Sequence, residues 1–174
     1  MVFSVLLLVV ALCAGCHEQV VPKPAQAAAS PADPNEIHHA QPKLPTMMLW
    51  LGAEQLKTEL ALTQKQEMTG MMFRTNMAEN EAMLFVFPEP QQVAFWMKNT
   101  LLPLSAAYID PDGVIQEIHK LKPLDTNSVV AASDQIQFVL ETKQGWFKRH
   151  NVGIGAVVRT ERGSLMQTFF GRSN

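Results

Sequence analysis

After residue 45 the chain never runs apolar for long, because proline, glycine and Asn or Asp turns cut it into short segments in which apolar residues recur with a period of two. That period marks strands with a buried face. Glu54 to Leu62 (EQLKTELAL) sets Leu56, Thr58, Leu60 and Leu62 on one side, with mostly charged residues between. Gln135 to Glu141 (QIQFVLE) does the same with Ile136, Phe138 and Leu140. Met83 to Phe87 and Val93 to Met97 are wholly apolar runs, the first ended by Pro88 and Pro90, the second by Lys98-Asn99-Thr100.

The punctuation between these runs is specific. Gly52-Ala53 turns Met47 to Leu51 back onto the next segment as a hairpin. Pro111-Asp112-Gly113 joins Ser105 to Asp110 and Val114 to His119 in a tight turn, with glycine where positive φ is needed. Thr63 followed by Gln66 is a capping box, so a short helix is expected over Gln64 to Thr69, ended by Gly70. Met71 to Glu81 is irregular. Leu121 to Ser133 is loop-like. A second short helix is expected within Thr142 to Asn151, a strand over Ala156 to Thr160, and one more over Ser164 to Phe170. The fold class is therefore mainly β: an antiparallel β-sandwich or partly closed barrel with one or two short helices, over residues 46–174.

Both cysteines, Cys13 and Cys16, precede this region, so it holds neither a disulfide nor a cysteine-based metal site. Burial alone must stabilise it. The apolar run from Val5 to Cys13 is too short to span a bilayer and has the length of a signal-peptide core. Ala14, Gly15 and Cys16 then resemble a lipobox. Residues 1–16 are expected to direct export, with Cys16 lipidated; an ordinary cleaved signal peptide is the other reading. The position after Cys16 is His17 rather than Asp, which favours an outer-membrane address. Residues 17–45 carry Pro22, Pro24, Pro31, Pro34, Pro42 and Pro45 and no apolar period. They are expected to be a disordered tether.

Gly70-Met-Met-Phe-Arg74, Met83 to Phe87, Phe95-Trp-Met-Lys-Asn-Thr100 with Pro103, the Tyr108 to Gly113 turn, and Val139-Leu-Glu141 before Gly145 resemble the domain of unknown function numbered 192 (DUF 192), over about residues 47 to 160. The resemblance implies a mostly β, sandwich-like fold and supplies no agreed activity, cofactor or catalytic residue. The site candidates come from the residues themselves. Trp96, Lys98 and Asn99 set an aromatic plane, a cation and an amide at a strand end, suited to an anionic or sugar-like ligand. Arg74 can grip a carboxylate or phosphate with two parallel bonds. Glu141 closes an apolar strand and is expected to pair with Arg74 or Lys98. The bland alternative has Asn99 and Thr100 as turn residues and Arg74 as a loop tie.

Net charge is −2 with a pI near 6.2, which gives no basic face for nucleic acid. Ser105, His119 and Asp125 lack a nucleophile-elbow context, and no phosphate loop, dinucleotide fingerprint or zinc spacing is present. The chain thus reads as a monomeric cell-envelope lipoprotein facing the periplasm. Its domain is expected to bind a small ligand or partner without catalysis, and with no cofactor or metal. Two other functions stay open. One is an envelope sugar or peptide hydrolase using Glu141 or Asp110. The other is a copper binder built on Met47, Met48, Met68, Met71, Met72, Met77, Met83 and Met97, whose thioethers suit Cu(I).

Overall fold

Strands in the middle of a sheet that is covered on both sides must be apolar, or satisfied, on both faces. That condition governs this chain. A computed structural model describes residues 37–171; the export segment, Cys16 and the tether up to residue 36 lie outside the described residues. The elements run β1 (Thr46–Leu51), β2 (Glu54–Ala61), α1 (Gln64–Thr69), β3 (Glu81–Gln91), β4 (Ala94–Phe95), β5 (Leu104–Ile109) and β6 (Ile115–Leu121). They continue with β7 (Val129–Val130), β8 (Ile136–Lys143), α2 (Trp146–Arg149), β9 (Val158–Thr160), β10 (Gly163–Ser164) and α3 (Leu165–Phe170).

Eight strands form one sheet in the order β10-β9-β1-β2-β3-β8-β5-β6, and β4 pairs with β7 in a second, two-stranded sheet. The mainly β architecture is as expected, and the sheet is not closed. Every named pair is antiparallel except β2 with β3. A parallel pair needs a long crossover, and residues 62–80, which include α1, provide it. Both expected hairpins form, β1 with β2 and β5 with β6. At the second, Gly113 has φ +81°, and a Cβ there would lie 3.0 Å from the Val158 carbonyl oxygen.

Alternation divides the central strands between two cores. Leu84, Val86, Ala107, Ile109, Phe138 and Leu140 point to one side, against Trp146 and Phe147 of α2 and Leu165 and Met166 of α3. Met83, Phe85, Ala106, Tyr108 and Val139 point to the other, against Met71, Val93, Met97 and Ala131 from the crossover and the β4 and β7 segments. The second side carries the cleft described below.

Several boundaries differ from expectation. β3 continues through Pro88 and Pro90 to Gln91, and its pairing with β8 shifts register between Val86 and Gln91, where the prolines donate no ladder bonds. The Val93 to Met97 run contributes only two strand residues, since the Met97 N–H turns to the Asp125 carbonyl at 2.7 Å. Ser164 to Phe170 is mostly a helix rather than a strand: Ser164 Oγ accepts from the Gln167 N–H at 3.1 Å and starts α3. Leu62 falls past the end of β2 and is 49% exposed. Removing the Phe138 ring from the first core is therefore expected to cost about 3–5 kcal/mol in Phe138→Ala. Leu62→Ala should stay within about 0.5 kcal/mol of wild type, both read by urea unfolding.

Candidate functional site

The α1 end of the site is set by local hydrogen bonding. Thr63 Oγ1 accepts from the Gln66 N–H at 3.3 Å, and Gln66 Oε1 accepts from the Thr63 N–H at 3.1 Å, so the expected capping box is present. Gly70 closes the helix with its N–H on the Gln66 carbonyl at 2.8 Å. Gln41 then donates from Nε2 to the Gln66 and Gly70 carbonyls at 3.2 and 3.0 Å. Helix ends need such partners. The last residues of the expected tether are thus bonded to the domain.

From Gly70 the chain passes through Met71 and Met72 to Phe73, whose N–H donates to the Asn99 carbonyl at 2.8 Å. Asn99 stands at φ +56° in a turn closed by the Thr100 N–H on the Met97 carbonyl at 3.0 Å. Lys98 and Asn99 are the central turn residues. The turn leaves Trp96 47% exposed and aims Thr100 inward.

Between α1, β3 and the β4 segment lies a cleft of about 310 Å³. Met68, Met71 and Met72 wall one side, and Phe85, Phe87, Phe95 and Trp96 wall others; Glu67 lines it as well. At the sheet lies Glu141, opposite Met83 of β3 and Ala106 of β5. It is only 4% exposed, and its Oε2 has no hydrogen-bond partner among the described residues. Burial, with nothing to offset it, pushes the Glu141 pKa up to about 8. At neutral pH this carboxyl is mostly protonated. Glu67 is also raised by burial.

The sequence candidates separate. Trp96 and Glu141 line one cleft; Arg74, Lys98 and Asn99 do not line it. Arg74 pairs with neither Glu141 nor a ligand surface. Its Nη1 and Nη2 donate to Glu59 Oε1 and Oε2 at 2.5 and 2.8 Å, and both residues are buried. Glu59 Oε2 also accepts the Leu44 N–H at 2.8 Å, and Lys43 Nζ lies 3.1 Å from Oε1. Burial alone would raise Glu59, but the Arg74 hydrogen bond, the Leu44 N–H and Lys43 together hold it down at about 2. Lys98 sits with Nζ 5.6 Å from the centroid of the Trp96 ring, not on Glu141. Asp110 is a turn residue, accepting from the Val114 N–H at 2.9 Å and from Gln116 Nε2 at 2.6 Å. Sequence reasoning missed Glu59 as the Arg74 partner and Glu67 in the cleft. The three-residue steps from Thr63 and Gln66 to Thr69 would have placed Glu67 on the helix but not its direction.

The DUF192 family model, described as an uncharacterised ACR, matches residues 48–160, more than half of the chain. The chain belongs to the DUF192 family. A solved structure of a candidate transcription regulator from Sinorhizobium meliloti 1021 is 32% identical with a TM-score of 0.66, covering 70% of this chain and 98% of that one. A protein of unknown function from Novosphingobium aromaticivorans DSM 12444 is 29% identical with a TM-score of 0.64, covering 67% of this chain and 86% of that one. No curated protein matches the chain significantly. The DUF192 match spans every wall of the cleft, from α1 through Glu141.

Two opposite pH effects on stability follow. A lowered folded pKa at Glu59 adds stability above the unfolded value of about 4.5, lost as pH falls toward 2. A raised folded pKa at Glu141 makes the folded state bind the extra proton, so stability declines as pH rises from about 4.5 through 8. Urea unfolding across pH should show both slopes. Glu141→Gln should flatten the alkaline one alone. Arg74→Ala, which strands Glu59, should cost about 3–5 kcal/mol at neutral pH.

Proposed function

We propose that this DUF192 protein is an exported, membrane-anchored accessory protein of the cell envelope that binds a small ligand in the Glu141 cleft without transforming it. One observation carries the binding reading: a buried carboxyl with an unpartnered oxygen faces an open, aromatic-walled cleft. Such a group is costly to bury and is expected to meet a ligand where the fold gives it no partner. The non-catalytic part rests on the lining. Among the described residues no Ser, Cys or His lines the cleft. Thr69 and Thr100 do, but their hydroxyls already donate to the Lys65 and Lys98 carbonyls. A hydrolase built on Asp110 would have its carboxylate committed to a turn.

An anionic ligand would meet no cation in the wall among the described residues, so the ligand reading moves toward neutral or positively charged molecules. The copper reading retains Met68, Met71 and Met72 in the cleft, while Met83 and Met97 are core residues. The envelope reading rests on the apolar N-terminal segment and Cys16. The regulator description of the Sinorhizobium relative is not carried over, given a net charge of −2.

Full-length protein in detergent should shift its Tm and quench Trp96 fluorescence with some member of a panel of sugars, amino acids, amines and short peptides, and release that compound unchanged. Trp96→Phe should abolish the quench. A panel without any binder, or a compound recovered cleaved, would sink the proposal. In cells, Cys16→Ala should move the protein from the membrane to the soluble fraction, and a wild-type protein already soluble would refute the anchor.

A further inference from the structure

The cleft is rich in aromatic faces and acids and has no cation in its lining. Phe95 stands edge-on to Phe85, with centroids 4.9 Å apart and planes at 88°, and to Phe87 at 6.5 Å and 81°. The three rings therefore form corners rather than a stack. A ring face carries partial negative charge and attracts an ammonium group. Trp96 at the rim shows this already, since Lys98 Nζ lies over its ring. Glu67 and Glu141 are the ionisable groups in the lining, and no Lys, Arg or His joins them among the described residues.

We infer that the ligand class of this cleft is an organic ammonium ion, its alkyl groups against the phenylalanine rings and an N–H donating to Glu141 Oε2. The inference rests on the cleft being the binding site and adds the charge of the ligand. Glu141 lacks a positive partner because Arg74 is taken by Glu59. A bound ammonium would be that partner. An anion would find no cation in the lining among the described residues and would leave Glu141 protonated. A neutral guest would gain from the apolar walls but leave the rings' electrostatics unused.

Proton balance follows. Glu141 is mostly protonated when the cleft is empty near neutral pH, so binding an ammonium releases the Glu141 proton to solvent. Affinity then rises with pH until the carboxyl is ionised without help. The groups packed around Glu141 do not reverse that sign. β3 contributes Met83 and β5 contributes Ala106. Tyr108 on β5 is raised by burial, then by Glu141 and Glu117, and stays neutral. Glu67 on α1 adds further acid, the His119 ring packs 4.8 Å from that of Tyr108, and Lys98 at the rim carries a positive charge that repels a charged guest.

Three tert-butyl compounds of similar size and different charge test this on the full-length protein by ligand-observed NMR: neopentylammonium, neopentyl alcohol and pivalate. The cation should bind about tenfold tighter than the alcohol, and pivalate weakest. Cation affinity should climb between about pH 6 and pH 9, where the amine stays protonated. Glu141→Gln should erase both the pH dependence and the preference for charge. Lys98→Gln, a surface change that leaves the fold alone, should tighten the cation and not the alcohol. If the alcohol or pivalate binds as tightly as the cation, the charge class is wrong while the binding site stands. If none of the three binds but a sugar or another compound without an ammonium group from the wider panel does, the same holds; an amine of that panel binding instead would support the charge class. Cu(I) binding by chelator competition in place of the ammonium would overturn the inference in favour of the methionine thioethers. Absence of all binding would overturn both readings.

Discussion

Burial of the sheet centre on both faces is the constraint from which the rest follows. β3, β8 and β5 lie between other strands, and each face is covered: by α2 and α3 on one side, by the crossover and the β4 and β7 segments on the other. Polar side chains on these strands have no water to fall back on. Most find partners. Ser105 Oγ accepts the Gly145 N–H at 2.9 Å, and Gln137 Nε2 reaches the Phe87 and Pro88 carbonyls at 3.3 Å, over the stretch of β3 where the prolines break the ladder, although Gln137 Oε1 has no partner among the described residues. Glu141 differs, because the space beside it is open cleft rather than backbone. The same packing that stabilises the sheet thus creates a protonated acid at neutral pH.

A second node holds the cleft wall in place. Glu59 on β2 gathers Arg74 from the loop after α1, the Leu44 N–H and Lys43 from the chain entering β1. Charged bidentate pairs of this kind carry geometric specificity beyond their net stabilisation. With Gln41 on the carbonyls at the end of α1, the node joins the entering chain, β2 and the loop of Met71 and Met72 into one unit. Arg74 thereby ties the loop, as the alternative reading of the sequence expects, but to Glu59 rather than Glu141.

What was legible in the sequence was what depends on neighbours in the chain. The capping box at Thr63, the turn at Gly113 and both hairpins need only local residues, and all were read correctly. Partner choice was not legible, since Arg74 and Glu59 are brought together by the crossover, and a period-two pattern does not say which acid an arginine meets. The alternation of QIQFVLE pointed to one buried face, yet Gln137 and Glu141 on the other face are buried too. A strand centre covered twice looks from sequence like a strand covered once when polar residues occupy the second face. Ser164 to Phe170 failed for a different reason: its serine cap and its apolar pairs, Leu165 with Met166 and Phe169 with Phe170, have helical spacing, but a short apolar run reads equally as strand.

The local costs of this fold are gathered near one place. Among the described residues four non-glycine positions have positive φ, and Phe73, Asn99 and Leu124 are three of them. The Phe73 N–H bonds the Asn99 carbonyl, and the Leu124 N–H bonds the Thr100 carbonyl, so these three strained segments are stitched to one another. For Phe and Leu such a backbone costs on the order of 1–3 kcal/mol each. The same region exposes Trp96 and buries an unpaired Glu141. A sequence optimised for stability alone would relax the turns and place an apolar residue at 141. An unsatisfied acid and an exposed aromatic ring share one cleft, and the strained turn at Asn99 lies next in sequence to Thr100 of its lining, so the departures from local rules cluster in this part of the fold.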